Sequence, residues 1–133
     1  MSLKVLIVDD DDIVIFLHET LIDMSGLSSQ PAIAINGKEA LEYITKSQDD
    51  DDSKYLIFLD INMPVMNGWE LLDEINTQLF SDRVFVVMVT SSTDAKDKEK
   101  SMTYKNVIDF LEKPLSIEDC DRIKFSQQVS SYF

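Results

Sequence analysis

The sequence predicts an α/β fold, a doubly wound sheet of five parallel strands covered by five helices. Short apolar segments rich in branched residues alternate along the chain with segments of helical character. Strands buried on both faces of a parallel sheet have this nearly continuous apolar composition, and each requires a crossover helix to reach the next strand. Because such crossovers are right-handed, the alternation leaves few topologies.

Five segments have the composition of strands, at residues 3–8, 31–35, 55–59, 83–89 and 107–111. The first, third and fourth are almost continuous apolar runs, and the apolar character of the other two is weaker. The second begins at Pro31, and a proline suits only the start of a strand or an edge strand because it has no N–H to donate. These segments are the predicted strands of the sheet.

Five helices are predicted between and after the strands, at residues 13–24, 38–46, 69–79, 95–104 and 117–129. The first is predicted to end at Gly26, and the second to follow a turn at Asn36-Gly37. In the second helix Ala40 and Ile44 are separated by four residues, which places them on one face. Such apolar faces would pack the helices against the sheet.

The length of 133 residues and the hydrophobic content of 44% predict a single domain that spans residues 1–133 and carries no output domain. The longest apolar stretch is far shorter than the roughly 20 residues that a membrane span needs. The first 12 residues lack the basic start and the cleavage site of a signal peptide, so a cytoplasmic location is expected. The one cysteine, Cys120, is interpreted as a structural thiol because it has no partner for a disulfide or a metal site.

The net charge of −13 argues against direct binding to DNA or RNA, which relies on clusters of Lys and Arg. Partners are therefore expected to be proteins, ions or small molecules. Part of the acidity lies in residues 48–53, which include four consecutive aspartates. Like charges resist burial, so this segment is predicted to be a solvated loop. A calcium-binding loop is discounted because it would need spaced oxygen ligands and a glycine.

Polar residues stand where the predicted strands end. Asp9 and Asp10 follow the first strand, Asp60 follows the third, Thr90 the fourth and Lys113 the fifth. In an open parallel sheet, ligands bind outside the carboxyl ends of the strands. Three carboxylates at one edge would repel each other unless a cation balances them. Mg²⁺ takes oxygen ligands and would also neutralise charge on an incoming phosphoryl group, so it suits this edge.

Four motifs carry a resemblance to a known family. They are VLIVDD at residues 5–10, FLDINMPVMNGWELL at residues 58–72, VVMVTS at residues 86–91 and FLEKP at residues 110–114. In this order and at these separations, the chain resembles the receiver domains of two-component response regulators over about residues 3–129. The resemblance implies the flavodoxin-like receiver fold and a role in phosphorelay signal transduction. The phosphoryl group would come from a sensor histidine kinase or a histidine phosphotransfer protein.

The resemblance also implies a phosphoacceptor and a set of Mg²⁺ ligands. Asp60 would accept the phosphoryl group. Asp10 would bind Mg²⁺ directly, Asp9 mostly through water, and Asn62 through its backbone carbonyl. Asn62 and Ser92 hold the two positions that influence the lifetime of the phosphoryl group in this family. The two aspartates after Asp10 are better placed to begin the first helix, where the dipole favours anions.

By the same resemblance, Thr90 and Lys113 would bind phosphoryl oxygens through a hydroxyl and an ammonium group. Pro114 matches a family proline whose peptide bond is usually cis. Thr90 and Phe110 would form the switch. In receivers the aromatic residue at this position moves into the space that opens when the loop carrying the threonine is drawn inward.

The surface expected to change covers the fourth helix, the fifth strand and the fifth helix, at about residues 95–129, and would bind a downstream protein target. Four lysines lie there: Lys96, Lys98, Lys100 and Lys105. They form either a solvated helix face or a docking surface for an acidic partner. His18, in the first helix, is interpreted as a lone surface histidine that is not a phosphodonor.

The chain is not expected to be an enzyme in the usual sense, because it would turn over only its own acyl phosphate. Two other interpretations remain open. A phosphatase of the haloacid dehalogenase type also forms an aspartyl phosphate, but its nucleophile follows the first strand, with an acid/base Asp two residues later, where this chain has Asn62. A receiver that has lost phosphorylation would be a constitutive interaction module, although all five strand-end residues are present.

Overall fold

The computed structural model describes residues 2–47, 53–91 and 94–133. Within these ranges, strands and α-helices alternate in the predicted order. The strands are β1 (Ser2–Val8), β2 (Ala32–Ala34), β3 (Ser53–Leu59), β4 (Val84–Thr90) and β5 (Val107–Glu112). The helices are α1 (Asp12–Met24), α2 (Gly37–Lys46), α3 (Gly68–Asn76), α4 (Ala95–Ser101) and α5 (Ile117–Lys124). Short 3₁₀ helices at Ser81–Arg83 and Ser130–Tyr132 follow α3 and α5.

The strands form one parallel sheet in the order β2-β1-β3-β4-β5, which confirms the predicted doubly wound fold. The direction of the strand order reverses between β1 and β3, because the chain moves outward to β2 and then returns. Val8, the last residue of β1, pairs with Leu59, the last residue of β3. Asp9 and Asp60 therefore begin side by side, at the point where sheets of this kind bind ligands.

An apolar layer covers each face of the sheet, because successive strand side chains point to opposite faces. The layer beneath α2 and α3 includes Leu6, Val8, Ile44, Leu59, Leu71 and Ile75. The layer beneath α1 and α5 includes Val5, Ile7, Ile15, Phe58, Cys120 and Ile123. Cys120 is fully buried, and burial raises its pKa to about 11. This thiol therefore stays protonated, as expected of a structural cysteine.

Three helices end earlier than their sequence patterns predict. The predicted ends were residues 79, 104 and 129, whereas α3, α4 and α5 end at Asn76, Ser101 and Lys124. Near each end, a hydroxyl group donates to a carbonyl three residues earlier: Thr77 to Glu74, Ser101 to Lys98 and Ser126 to Ile123. A hydroxyl that occupies a carbonyl of the last turn competes with continuation of the helix.

The strands match their predicted bounds to within two residues at each end. Residues 48–52, which hold most of the predicted acidic loop, and Ser92 lie outside the described residues. In the parts of the chain that are described, no helix combines the length and the apolar character needed to cross a membrane.

Glycine is required where the segment between β3 and α3 passes over the end of β3. The Gly68 N–H donates to the carbonyl of Ile61 at 2.8 Å. A Cβ atom at Gly68 would collide with the backbone oxygen of Asp60. The same segment is tied to the start of α2, because the Gly37 N–H donates to the carbonyl of Met66 at 2.9 Å. Gly68 thus sets how closely α3 approaches Asp60.

We expect Gly68→Ala to lower the free energy of unfolding by about 2 kcal/mol, a typical effect of forced overpacking. Alanine is the better helix former by roughly 0.5–1 kcal/mol, but here its methyl group must displace the Asp60 carbonyl. Urea unfolding followed by circular dichroism measures the change. Glu74→Ala, at an exposed position of the same helix, is the control and should change stability by no more than about 0.5 kcal/mol. A Gly68→Ala variant as stable as wild type would contradict the close approach.

Candidate functional site

Lys113 joins two buried carboxylates at the end of the sheet. Its Nζ lies 2.6 Å from Oδ2 of Asp9 and 3.3 Å from Oδ2 of Asp60. Asp9 is 2% exposed and Asp60 is 6% exposed, so both carboxylates are largely removed from water. A buried carboxylate is costly unless it is paired and hydrogen-bonded. The ammonium of Lys113 supplies the pairing for both.

Backbone N–H groups hold the other oxygen of each buried carboxylate. The Asp11 N–H donates to Oδ1 of Asp9 at 3.0 Å, and the Ile61 N–H donates to Oδ1 of Asp60 at 2.8 Å. In each carboxylate one oxygen is therefore fixed by the local backbone, and the other, Oδ2, faces Lys113. The residues just after β1 and β3 thus orient both carboxylates.

Asp10 brings a third carboxylate to the same place. Asp9, Asp10 and Asp60 each have a carboxylate oxygen within 4.8 Å of those of the other two. Asp10 is exposed, so the cluster has an open side. Asp11 has a different role, because its side chain caps the first turn of α1. The cluster offers only oxygen donors, and such a set could hold a hard divalent cation.

The charges of the cluster shift two pKa values. Burial raises the pKa of Asp60; the charge of Lys113 acts against this effect, and the charge of Asp9 adds to it. Burial acts to lower the pKa of Lys113, but hydrogen bonds and charge from the two carboxylates outweigh burial, and this pKa is raised. Lys113 therefore stays an ammonium, while ionisation of Asp60 costs more free energy in the folded chain than in water.

Thr90 ends β4, the strand between β3 and β5, so along the sheet edge it lies between the strand end of Asp60 and that of Lys113. Thr90 is fully buried, and its carbonyl accepts a hydrogen bond from the Lys113 N–H at 2.8 Å. The Lys113-Pro114 bond is cis, as the family resemblance implied. Asn62 is exposed, two residues after Asp60. The residues predicted at the strand ends thus share one edge of the sheet.

Phe110 lies on β5, where it pairs with Met88 of β4. Its side chain is half-buried and packs against the apolar layer beneath α2 and α3. Met63 and Met66, from the segment after Asp60, pack against the same layer. The predicted switch residue and the segment beside Asp60 therefore share one apolar layer.

His18 is not a surface residue, and the interpretation of it as a lone surface histidine is wrong. Its side chain is 2% exposed, and Nε2 accepts a hydrogen bond from the Leu115 N–H at 3.3 Å. The sequence did contain a signal for this position. Ile15, His18 and Ile22 recur at spacings of three and four residues, and all three form the buried face of α1.

An aromatic contact between α3 and the segment after α4 was not predicted. The rings of Trp69 and Tyr104 stack with their centroids 6.0 Å apart, and the Tyr104 hydroxyl donates to Asp73 at 2.7 Å. Lys100 places its Nζ 4.6 Å from the centroid of the Trp69 ring, within the range of a cation–π contact. The four lysines of the predicted patch, Lys96, Lys98, Lys100 and Lys105, are all exposed. Their exposure fits both interpretations given to the patch.

A family model described as the response regulator receiver domain matches residues 5–123. The chain belongs to this family. Receiver domains are the phosphoacceptors of two-component signalling, so the predicted signalling class is confirmed together with the fold.

Solved structures of other receivers match nearly the whole domain. A two-component response regulator from Cytophaga hutchinsonii has a TM-score of 0.82 and 30% identity, and the match covers 92% of this chain and 93% of that one. A response regulator receiver protein from Dyadobacter fermentans has a TM-score of 0.79 and 27% identity, and the match covers 92% of this chain and 94% of that one.

Curated relatives match this receiver domain over part of their length. A protein-glutamate methylesterase/protein-glutamine glutaminase from Geobacillus kaustophilus is 34% identical over 96% of this chain and 35% of the relative. A probable C4-dicarboxylate response regulator from Bacillus subtilis is 32% identical over 86% of this chain and 47% of the relative. The chain thus spans less than half the length of these two relatives.

We expect Asp60→Asn to stabilise the receiver domain at neutral pH. The pKa of Asp60 is higher in the folded chain than its value of about 3.8 in the unfolded chain. Asp60 therefore contributes its full stabilisation only below about pH 3.8, and this contribution is lost as the pH rises through the pKa of the folded state. The asparagine keeps an acceptor for the Ile61 N–H but carries no charge. The free energy of unfolding of the variant at pH 7 should exceed that of wild type by about 1 kcal/mol, a typical size for a single substitution.

Urea unfolding in the presence of a chelator, at several values between pH 3.5 and pH 7, measures this difference. The gain should shrink toward the acidic end, where Asp60 is protonated in both states. Asp121→Asn, at an exposed position of α5, is the matched control and should show no such gain. An Asp60→Asn variant that is less stable than wild type at pH 7 would show that the pair with Lys113 outweighs burial.

Proposed function

We propose that Asp60 is the phosphoacceptor and that it takes a phosphoryl group from the phosphohistidine of a sensor histidine kinase or a histidine phosphotransfer protein. One observation carries this proposal. Oδ2 of the buried Asp60 lies 3.3 Å from the Lys113 ammonium, beside the carboxylates of Asp9 and Asp10. It is a fixed nucleophile with a cation next to the atom that would attack.

In the proposed transfer, Oδ2 of Asp60 forms a bond to phosphorus while the bond from phosphorus to the donor nitrogen breaks. The electron pair of that bond leaves with the imidazole of the donor. The Lys113 ammonium binds one phosphoryl oxygen, and the Thr90 hydroxyl donates to another. Lys113 exchanges part of its interaction with the carboxylates for one with the phosphoryl group.

The donor set supports Mg²⁺ as the cofactor. Three carboxylates and one ammonium leave two negative charges at the site, which one divalent cation balances. Asp10 and Asp60 would bind the ion directly, Asp9 mostly through water, and Asn62 through its backbone carbonyl. Bound there, Mg²⁺ would neutralise charge on the phosphoryl group so that a carboxylate can approach it.

The output would pass through Thr90 and Phe110. A phosphoryl group adds nearly two negative charges and several strong acceptors, which would draw the Thr90 hydroxyl inward. Phe110, half-buried on β5, would follow into the vacated space. It has no hydroxyl group, so it would report its position through packing alone. The face that changes would be formed by α4, β5 and α5.

We further propose that this face binds a downstream protein target, with no direct contact to nucleic acid or membrane. The exposed lysines on α4 and the segment after it would favour an acidic partner. Catalysis would be limited to phosphotransfer and the loss of the domain's own acyl phosphate, so the chain would not be an enzyme with an external substrate.

Incubation with acetyl phosphate and Mg²⁺ tests the phosphoacceptor proposal. Intact-mass spectrometry should show one phosphoryl adduct per chain, mapped to Asp60 after borohydride reduction. Asp60→Ala and excess chelator should both abolish the adduct. Asp121→Ala, which removes an exposed carboxylate on α5, should leave it unchanged.

Two other outcomes would overturn the proposal. Sustained hydrolysis of small phosphate esters that requires Asp60 would favour a phosphatase of the haloacid dehalogenase type. A wild-type chain that forms no adduct with either acetyl phosphate or phosphoramidate would favour a constitutive interaction module.

A pair of neighbouring aspartates tests the metal ligands. Asp10→Asn should weaken Mg²⁺ binding by about tenfold or more, because it removes a charged oxygen ligand. Asp12→Asn should change Mg²⁺ affinity less than twofold, since Asp12 begins α1 and is not part of the cluster. Isothermal titration calorimetry measures both. Equal losses in the two variants would assign the effect to general acidity, against a ligand role for Asp10.

A further inference from the structure

A buried histidine holds the backbone two residues after Lys113. His18 lies on the inner face of α1 and is 2% exposed. Its Nε2 accepts a hydrogen bond of 3.3 Å from the N–H of Leu115, which is also 2% exposed. The two residues are 97 positions apart in sequence. The contact therefore ties α1 to the segment between β5 and α5.

The hydrogen bond specifies the state of the imidazole. A ring nitrogen that accepts a hydrogen bond carries no proton, so Nδ1 bears the hydrogen and the ring is neutral. Burial lowers the pKa of His18; the charge of Asp9 opposes this effect and the charge of Lys113 adds to it. A neutral acceptor is compatible with the ammonium nearby, whereas an imidazolium would be repelled by it and could not accept the Leu115 N–H.

The segment at residues 113–116 is held from three directions by its backbone N–H groups. The N–H groups of Lys113, Leu115 and Ser116 donate to the Thr90 carbonyl, His18 Nε2 and the Asp119 carboxylate. These acceptors belong to β4, α1 and α5. The bond to His18 is the one that links this segment to the helix directly after Asp9 and Asp10.

We propose that His18 is a positioning residue for phosphoryl transfer, which accepts the Leu115 N–H and thereby fixes the segment that directs the Lys113 ammonium toward Asp60. This inference rests on the proposed role of Lys113 at the Asp60 site. His18 does not contact the reacting atoms in this arrangement. Its effect passes through two residues of backbone.

The size of the effect follows from the geometry. Without its acceptor, the buried Leu115 N–H has lost its hydrogen bond to His18, and a shift of the segment toward water would lower the free energy of that group. A displacement of about 1 Å at a catalytic group can slow a reaction by roughly a hundredfold. Asp9 still holds the Lys113 ammonium at 2.6 Å, so a smaller loss, of about tenfold, is expected.

A purely structural role for His18 leads to a different result. As a packing residue it would affect stability, and a polar replacement would be no better than an apolar one. As a positioning residue it would affect the rate of transfer through Lys113, and a replacement with an acceptor would restore that rate. The two roles are therefore separable by kinetics.

The experiment measures the initial rate of Asp60 acyl phosphate formation from acetyl phosphate and Mg²⁺. His18→Leu, which removes the acceptor, should slow it about tenfold, and His18→Gln, whose amide oxygen can accept, should stay within about threefold of wild type. The Mg²⁺ concentration at half-maximal rate should be unchanged in both. In a Lys113→Ala background, His18→Leu should cause no further slowing. Ile15→Val, on the same buried face, is the control for packing and should keep the wild-type rate.

Nuclear magnetic resonance on the wild-type chain provides a readout that does not depend on phosphorylation. The imidazole nitrogen shifts should show a hydrogen on Nδ1 and a bonded Nε2. His18→Leu should shift the Lys113 and Leu115 amide signals more than Ile15→Val does. If His18→Leu does not fold, the wild-type tautomer and the His18→Gln rate decide the question.

Any of three results would overturn the inference: a hydrogen on Nε2, equal slowing by His18→Leu with and without Lys113, or a His18→Gln variant as slow as His18→Leu. Failure of the proposed function looks different. In that case wild type forms no Asp60 adduct, while the tautomer and the Lys113 amide shift still test whether His18 fixes the segment.

Discussion

The ammonium of Lys113 lies between two carboxylates that are almost fully buried, and the arrangement of the site depends on this contact. Asp9 and Asp60 come from adjacent strand ends and would repel each other without it. Lys113 reaches them from beyond β5, two strands from β3 in the sheet. The Lys113 ammonium can therefore balance the two carboxylates only when the strands lie in the native order. In this receiver domain, fold and electrostatics are coupled through one side chain.

The segments on both sides of this contact are fixed by short-range features. Next to Asp60, Gly68 lets the start of α3 approach the backbone so closely that any side chain would collide. Next to Lys113, backbone bonds to β4, α1 and α5 hold the chain between β5 and α5. Each carboxylate has one oxygen held by a backbone N–H, which leaves the other free to change partners. Fixed backbone segments around carboxylate oxygens that can change partners suit a site that gains and loses a charged group.

The proposed switch uses the same apolar layer that supports the site. Phe110 and the segment after Asp60 pack against the layer beneath α2 and α3. Trp69 and Tyr104 also pack against it and connect α3 to the segment after α4 by ring stacking. A movement of Phe110 would therefore be felt at α4 without a long chain of intermediates. Because Phe110 has no hydroxyl group, the signal would depend on packing and less on polar contacts.

Sequence patterns were sufficient to predict the sheet, its helices and the grouping of the residues at the strand ends. Buried parallel strands have a nearly continuous apolar composition, and residues that follow such strands meet at one edge, so Asp9, Asp10, Asp60 and Lys113 could be grouped from the sequence. Three helices end earlier than their apolar spacing predicts because hydroxyl groups near each end donate to carbonyls of the last turn, a local competition that periodicity does not report. Only the packing of distant segments decided which group His18 contacts, because its helical spacing was a signal for burial while the Leu115 N–H lies 97 positions away in sequence. Periodicity reports which face is buried, whereas the identity of a hydrogen-bond partner depends on how distant segments pack.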